Sequence, residues 1–166
     1  MNIHLEKLEE KDAKALFYFE TINREFFETL VPGREENYYI YEHFLSVLNE
    51  LLQEQKEGKS FFYLIKNDSN AIVGRINLVD IDQEQRIGSI GYRIGEAFLK
   101  QGIATKALKL ILEETPILNV AEIHAKTTYQ NIGSQKVLEH NGFEFDVSRE
   151  GPNFVHYVWK ARIKFW

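Results

Sequence analysis

The chain has 166 residues, no cysteine and a formal net charge of −5. Without cysteine, disulfides, thiolate metal sites and a cysteine nucleophile are excluded. The negative balance argues against a general nucleic-acid binder, which would carry a basic face, and mildly favours a cationic substrate.

A hydrophobic content of 44% with 27% charged residues is ordinary for a globular protein, and 166 residues suffice for one domain, 1–166. The opening MNIHLEKLEEKD has no apolar core of the signal-peptide kind. No apolar run approaches the roughly 18 residues of a membrane span. A cytoplasmic protein with no membrane or nucleic-acid partner is expected.

Ile3, Leu5 and Leu8 predict a short first strand. Asp12 is placed to N-cap a helix to about Arg24, with Leu16, Phe19, Ile22 and Phe26 at the helical period. Pro32-Gly33 marks a turn. Tyr38, Tyr41, Leu45, Leu48 and Leu52 step by three and four, predicting a second amphipathic helix up to Gly58. Phe26, Phe27, Tyr38, Tyr39 and Tyr41 gather around this turn, either as core between two helices or as one wall of a substrate pocket.

Phe61–Lys66 and Ala71–Val79 form a hairpin around the polar turn Asn67–Asn70. Arg86–Ile94 follows the acidic loop 80–85 as a third antiparallel strand. The helix after Gly102 is expected to end at Thr115-Pro116, because proline removes a donor. Val120–Thr127 comes next, parallel to a neighbour because a helix crosses over before it. Ile132–His140 is a helix closed by Asn141-Gly142. Phe143–Arg149 and Phe154–Ile163 pair as the last strands. The sum is an α/β (α+β) domain, one mixed, mostly antiparallel sheet of about seven strands with about four helices.

The stretch Ile90–Glu113 carries the first chemical signal. A strand with Ile90, Tyr92 and Ile94 on one face runs through the loop EAFLKQGIAT into a helix. Ala104, Ala107, Leu108, Ile111 and Leu112 form that helix's apolar face. Such a strand–loop–helix is a common corner. It is also an anion site, because the first helical N–H groups lack partners and the helix dipole favours negative charge. Gly102, Ala104 and Thr105 let a diphosphate approach the backbone. No Gly-Lys-Ser/Thr follows, and the G-x-G-x-x-G spacing is absent, which excludes a P-loop and a dinucleotide fingerprint.

The second signal is Asn131 to Phe143, N-x-x-S-x-x-V-L-x-x-x-G-F, about 30 residues after Gly-Ile-Ala-Thr. Together the two motifs closely resemble the Gcn5-related N-acetyltransferases. The likeness is greatest to the branch that acetylates N-terminal amines of ribosomal proteins. NREFFETLVPGR, residues 23–34, also resembles the opening of that branch, so the resemblance covers nearly the whole chain.

The resemblance implies a layout. The strand ending at Ile94 would carry a bulge and splay from Val120–Thr127, and the pantetheine arm of acetyl-CoA would fill the gap beside Tyr92 and Ile94. The diphosphate would sit on the N–H groups of Gln101, Gly102, Ile103, Ala104 and Thr105. Asn131 would hydrogen-bond the arm. Leu99 stands where the family has glutamine or arginine, and Lys100 where this branch often has glycine; Lys100 would compensate with a charge beside the diphosphate.

The reaction needs a deprotonated amine, donors to the oxyanion and a donor to the departing thiolate. Backbone N–H near Ile94 would serve the second. Ser134 matches the position that supplies the third in this branch; its other reading is a helix-start serine bonded to backbone. Glu122 and His124 share a strand face with Lys126 and would relay the amine proton if that face meets the cleft; otherwise they are a solvated or packed face. Glu84 is another candidate base. His156 and Tyr157 read as structural, although Tyr157 would border the pocket. The five histidines show no metal-ligand spacing, so no metal is expected.

The function implied is direct acetyl transfer from acetyl-CoA to a primary amine in a ternary complex, with a protein N-terminus as the acceptor. The alternatives are a small amine such as a polyamine, an amino acid or an aminoglycoside, and a non-catalytic acyl-CoA-binding module. Monomer and homodimer both remain open.

Overall fold

The computed structural model describes residues 1–149 and 151–162. The strands are β1 (Ile3–Lys7), β2 (Phe61–Asn67), β3 (Ile72–Asp82), β4 (Ile87–Ile94), β5 (Glu122–Thr128), β6 (Glu144–Phe145) and β7 (Phe154–Lys160). They form one sheet in the order β1-β2-β3-β4-β5-β7-β6, antiparallel throughout except for β4–β5. The helices are α1 (Ala13–Ile22), α2 (Arg24–Glu28), α3 (Tyr41–Lys56), α4 (Ile103–Leu118) and α5 (Ile132–His140).

Strand alternation decides what covers each face. Tyr63 and Ile65 of β2 point to a core shared with Ile103, Ala107, Leu108 and Ile111 of α4 and Leu138 of α5. Phe62 and Leu64 point the other way, to Leu16 and Phe19 of α1 and Phe44 and Leu48 of α3. Helices on both faces leave β2 no solvent face, so it reads as a continuous apolar run.

The predicted order of elements holds, with local corrections that have identifiable causes. The first helix breaks at Asn23, whose side-chain amide donates to the Phe19 carbonyl at 2.9 Å and so competes with the helical ladder. Asp12 does not cap α1 with its side chain. It closes a short 3₁₀ turn, accepting the Glu9 N–H at 2.9 Å. Tyr38 lies in a separate 3₁₀ turn, and extended Ile40 separates it from α3.

Helix α4 continues through Pro116 to Leu118, against expectation. The Leu112 carbonyl, which a residue-116 N–H would normally satisfy, accepts the Thr115 hydroxyl at 2.8 Å. The last hairpin is shorter than predicted: β6 is only two residues, because Val147–Arg149 coil into a 3₁₀ turn around the Asp146 carboxylate. β7 ends at Lys160, and the predicted end of that strand at Ile163 lies outside the described residues.

The expected bulge is also in a different place. Register between β3 and β4 runs unbroken from Gly74/Ile94 to Val79/Ser89 and shifts only between Val79 and Asp82. The irregularity is therefore on β3. There the Ile81 N–H leaves the ladder for the Lys59 carbonyl at 2.9 Å, and Asp80 takes a φ of 53°.

Candidate active site

β4 and β5 pair in parallel only from Ile87/Glu122 to Ser89/His124, although β4 runs on to Ile94 and β5 to Thr128. Beyond that apex the two strands splay. The Gly95 N–H donates to the Val73 carbonyl of β3 at 2.9 Å. Alternation then turns the N–H groups of Ile94 and Tyr92 away from β3 and toward the gap, while that of Ile90 is used by β5 in the Ser89/His124 pair. A sheet interior with unpaired main-chain groups needs a partner, and an extended chain bearing amides is the natural one.

The gap leads to α4. Its N-cap Gly102 has a φ of 73°, a conformation that favours glycine, and a Cβ there would meet nothing within 4 Å. The Lys106 N–H is bonded back to the Gly102 carbonyl at 3.1 Å, which leaves the N–H groups of Ile103, Ala104 and Thr105 at the helix mouth. Lys100 and Gln101 are exposed on the approach, and Lys100 itself has a φ of 61°. Asn141 holds α5 against this helix, donating to the carbonyls of Thr105 (3.2 Å) and Val137 (3.0 Å).

On the α4–α5 face of the sheet, the Tyr92 hydroxyl lies 2.9 Å from Ser134 Oγ. Burial pushes the Tyr92 phenol above its ordinary value, and the bond to Ser134 pulls the other way. Asn131 caps α5: its Oδ1 accepts the Ser134 N–H at 3.0 Å. That oxygen is engaged in holding Ser134, while the Asn131 amide nitrogen has no partner among the described residues.

On the opposite face stand Glu122 and His124. Ile123 and Ala125 turn into the core with α4 and α5, so by period two Glu122 and His124 turn away from it. His124 Nε2 lies 2.6 Å from Glu122 Oε2, and Lys160 Nζ is 3.9 Å from the other Glu122 oxygen. His124 pairs with Ser89, the last pair before the splay, so the dyad sits at the apex. Two residues along the same face, Gly91 is exposed, and a Cβ there would meet nothing within 4 Å.

The other predicted residues lie elsewhere. Glu84 is exposed in the β3–β4 turn, where its backbone N–H donates to Asp82 Oδ1 at 3.0 Å. Tyr157 is buried in the α4–α5 core and donates to Glu139 Oε1 at 2.8 Å. Burial first, then Glu139, pushes its phenol up to about 12. Of the aromatic group, Phe27 and Tyr38 are core, while Phe27 and Tyr39 also line a small cavity with Arg34 and Arg93.

Sequence reasoning missed the groups around that cavity. Glu20 of α1 is fully buried and receives hydrogen bonds from Arg75 of β3, Arg34 and Arg93 of β4. A signal existed. Leu16, Phe19, Glu20, Asn23 and Phe27 share the helical period, so a carboxylate and an amide sit on an apolar face. Asn23 Oδ1 accepts the Glu96 N–H at 2.9 Å and ties these helices to the loop after β4.

Among the described residues, no group of three or more histidine or acidic side chains could hold a metal, and no helix is long and apolar enough to cross a membrane. A family model described as Acetyltransferase (GNAT) domain matches residues 2–144. The chain belongs to the GNAT acetyltransferase family. As a GNAT protein it is an acetyl-CoA-dependent N-acetyltransferase. The probable N-acetyltransferase YjcK of Bacillus subtilis (strain 168) is 28% identical to this GNAT chain over 162 residues, 95% of this chain and 89% of that protein.

Two solved GNAT-like structures show the shared fold. The ribosomal-protein-S5-alanine acetyltransferase from Vibrio fischeri superposes with a TM-score of 0.87 at 18% identity, covering 96% of this chain and 93% of that one. The spermidine N-acetyltransferase from Vibrio cholerae, in complex with CoA and spermine, has a TM-score of 0.77 at 15% identity, covering 95% of each chain. One is named for an alanine of a ribosomal protein and the other for a polyamine, so fold alone leaves the acceptor of this GNAT enzyme undecided.

Proposed function

We propose that this enzyme acetylates the α-amino end of a protein or peptide. The observation that carries the reading is the charge on the open face beside Gly91. Of the nearby carboxylates, Glu20 is buried among arginines, Glu28 is paired with Arg24, and Glu122 is bonded to His124 with Lys160 beside it. A polyamine would find no free anion there to anchor its second ammonium. An extended chain fits an open face at a splayed edge better than a closed pocket would.

The splayed backbone and the α4 mouth fit acetyl-CoA. Tyr92 and Ile94 offer main-chain donors to the pantetheine amides and to the carbonyl oxygen. The N–H groups of Gln101 to Thr105, with Lys100 beside them, suit the diphosphate, and the free amide of Asn131 faces the arm. Bound acetyl-CoA supplies the activated acetyl thioester. His124, whose Nε2 is held by Glu122, takes the proton of the incoming amine at its other ring nitrogen, Nδ1, either directly or through water. Ser134, bonded to Tyr92, gives a proton to the departing sulfur from the other face of the sheet. Base and acid thus act from opposite faces, with the gap between them. With no cysteine in the chain, direct attack within a ternary complex needs no acyl-enzyme.

Release of free thiol from acetyl-CoA, measured against short peptides and polyamines, tests this. Turnover of peptides, with the acetyl group located on the α-nitrogen by mass spectrometry, is the expected result. Turnover confined to polyamines, or acetylation only of lysine side chains, would reject it.

A further inference from the structure

Resting on the transferase reading, we propose that the acceptor amine carries a carboxylate close to it, and that Arg34 and Arg93 bind that carboxylate. Four elements converge here: α1 brings Glu20, the loop after α2 brings Arg34, β3 brings Arg75 and β4 brings Arg93. One carboxylate faces three guanidiniums. Arg75 and Arg93 are also direct cross-strand partners, an arrangement that repels unless an anion lies between them.

The surplus survives a wider count. Arg24 pairs with Glu28 at 3.1 Å and with Glu36 at 2.7 Å. Four arginines then stand against three glutamates. Glu28 lines the same cavity as Arg34 and Arg93, and it shares Arg24 with Glu36.

Geometry shows where an anion would go. Arg34 Nε is buried with no hydrogen-bond partner, an arrangement that costs free energy unless a ligand or water completes it. Arg34 lies over the Tyr38 ring at 4.3 Å and Arg93 over the Phe27 ring at 4.6 Å, so both guanidinium planes are fixed. They line a cavity of about 10 Å³, room for one water-sized group such as a carboxylate oxygen. Arg93 is held below the ordinary guanidinium value, first by burial and then by Arg34 and Arg75, against the pull of Glu20. An added anion would relieve that.

Position links this site to the reaction. Arg93 lies two residues from Gly91 on the same face of β4, within the splayed segment. A group anchored there would place its amine beside the gap. The acceptors that fit are amino acids, and peptides with an acidic residue near the amino end. Doubly cationic amines do not fit.

The test compares acceptors that differ only in carboxylate against carboxamide: free amino acids against their amides, and Ala-Glu peptides against Ala-Gln peptides. Thiol release is measured with the wild type, Arg34→Gln and Arg34→Lys. On the wild type, the acid member should be preferred about tenfold or more in kcat/KM, mainly through KM. Arg34→Gln should slow the acid acceptor about tenfold more than the amide, and Arg34→Lys should restore part of the preference. Equal rates on acid and amide, or equal losses on both in Arg34→Gln, would overturn the proposal and leave the transferase reading intact. The melting temperature of the CoA-bound protein gives a readout that does not need turnover. A rise with the acid but not the amide supports the site even if no amine is acetylated. No difference overturns it.

Discussion

Tyr92 Oη and Ser134 Oγ lie 2.9 Å apart, joining the splayed strand to the first turn of α5. One hydroxyl therefore orients the other, and the pair acts as a unit. Ser134→Ala is expected to lower kcat about 10²-fold, at the lower end for loss of a positioned proton donor. Tyr92→Phe should lower it less. The double variant should be little worse than Ser134→Ala, because linked groups are not additive. Steady-state kinetics on all three decide it; independent, multiplying losses would separate the two residues.

Lys100 should show two effects of opposite sign. Its φ of 61° costs an L-residue about 1 kcal/mol or more, which glycine avoids. Lys100→Gly is expected to raise thermal stability and to weaken acetyl-CoA binding severalfold through loss of the charge. Calorimetric titration and a melting curve on one sample measure both. An unchanged dissociation constant would remove Lys100 from the diphosphate site.

Gly91 is a test of space. Nothing lies within 4 Å of a Cβ built there, so Gly91→Leu should fold and bind acetyl-CoA. Its side chain would project over the face where the acceptor arrives. A fall of about tenfold or more in kcat/KM for the amine is expected, with acetyl-CoA affinity near wild type. Wild-type acceptor kinetics would place the amine elsewhere.

Glu20 holds the arginine cluster together. Burial pushes its carboxyl up, but Arg75, Arg34 and Arg93 outweigh this and hold it below the ordinary carboxylate range. A depressed folded-state value means stability that is fully present above the unfolded value near 4.5 and lost as pH falls through the folded one. Glu20→Gln leaves Arg75 buried without its counter-charge, and should cost about 3–5 kcal/mol at neutral pH. Urea unfolding of both proteins as a function of pH checks this. The gap between them should narrow in acid, and a gap independent of pH would reject the account.

The sequence by itself determined the order of elements, the helix mouth at Gly102 and the Asn131–Ser134 helix start. These depend on period, turn chemistry and caps, which act within a few residues. It also supplied the residue types proposed for base and acid, though not their sides. Only the tertiary structure placed His124 at the apex of the splay and Ser134 against Tyr92, because strand register decides which face each side chain meets. Breaks at Asn23 and continuation through Pro116 turned on single side-chain hydrogen bonds that propensity does not report. The arginine cluster was the least legible part. Glu20, Arg34, Arg75 and Arg93 are far apart along the chain, and one buried carboxylate brings them together.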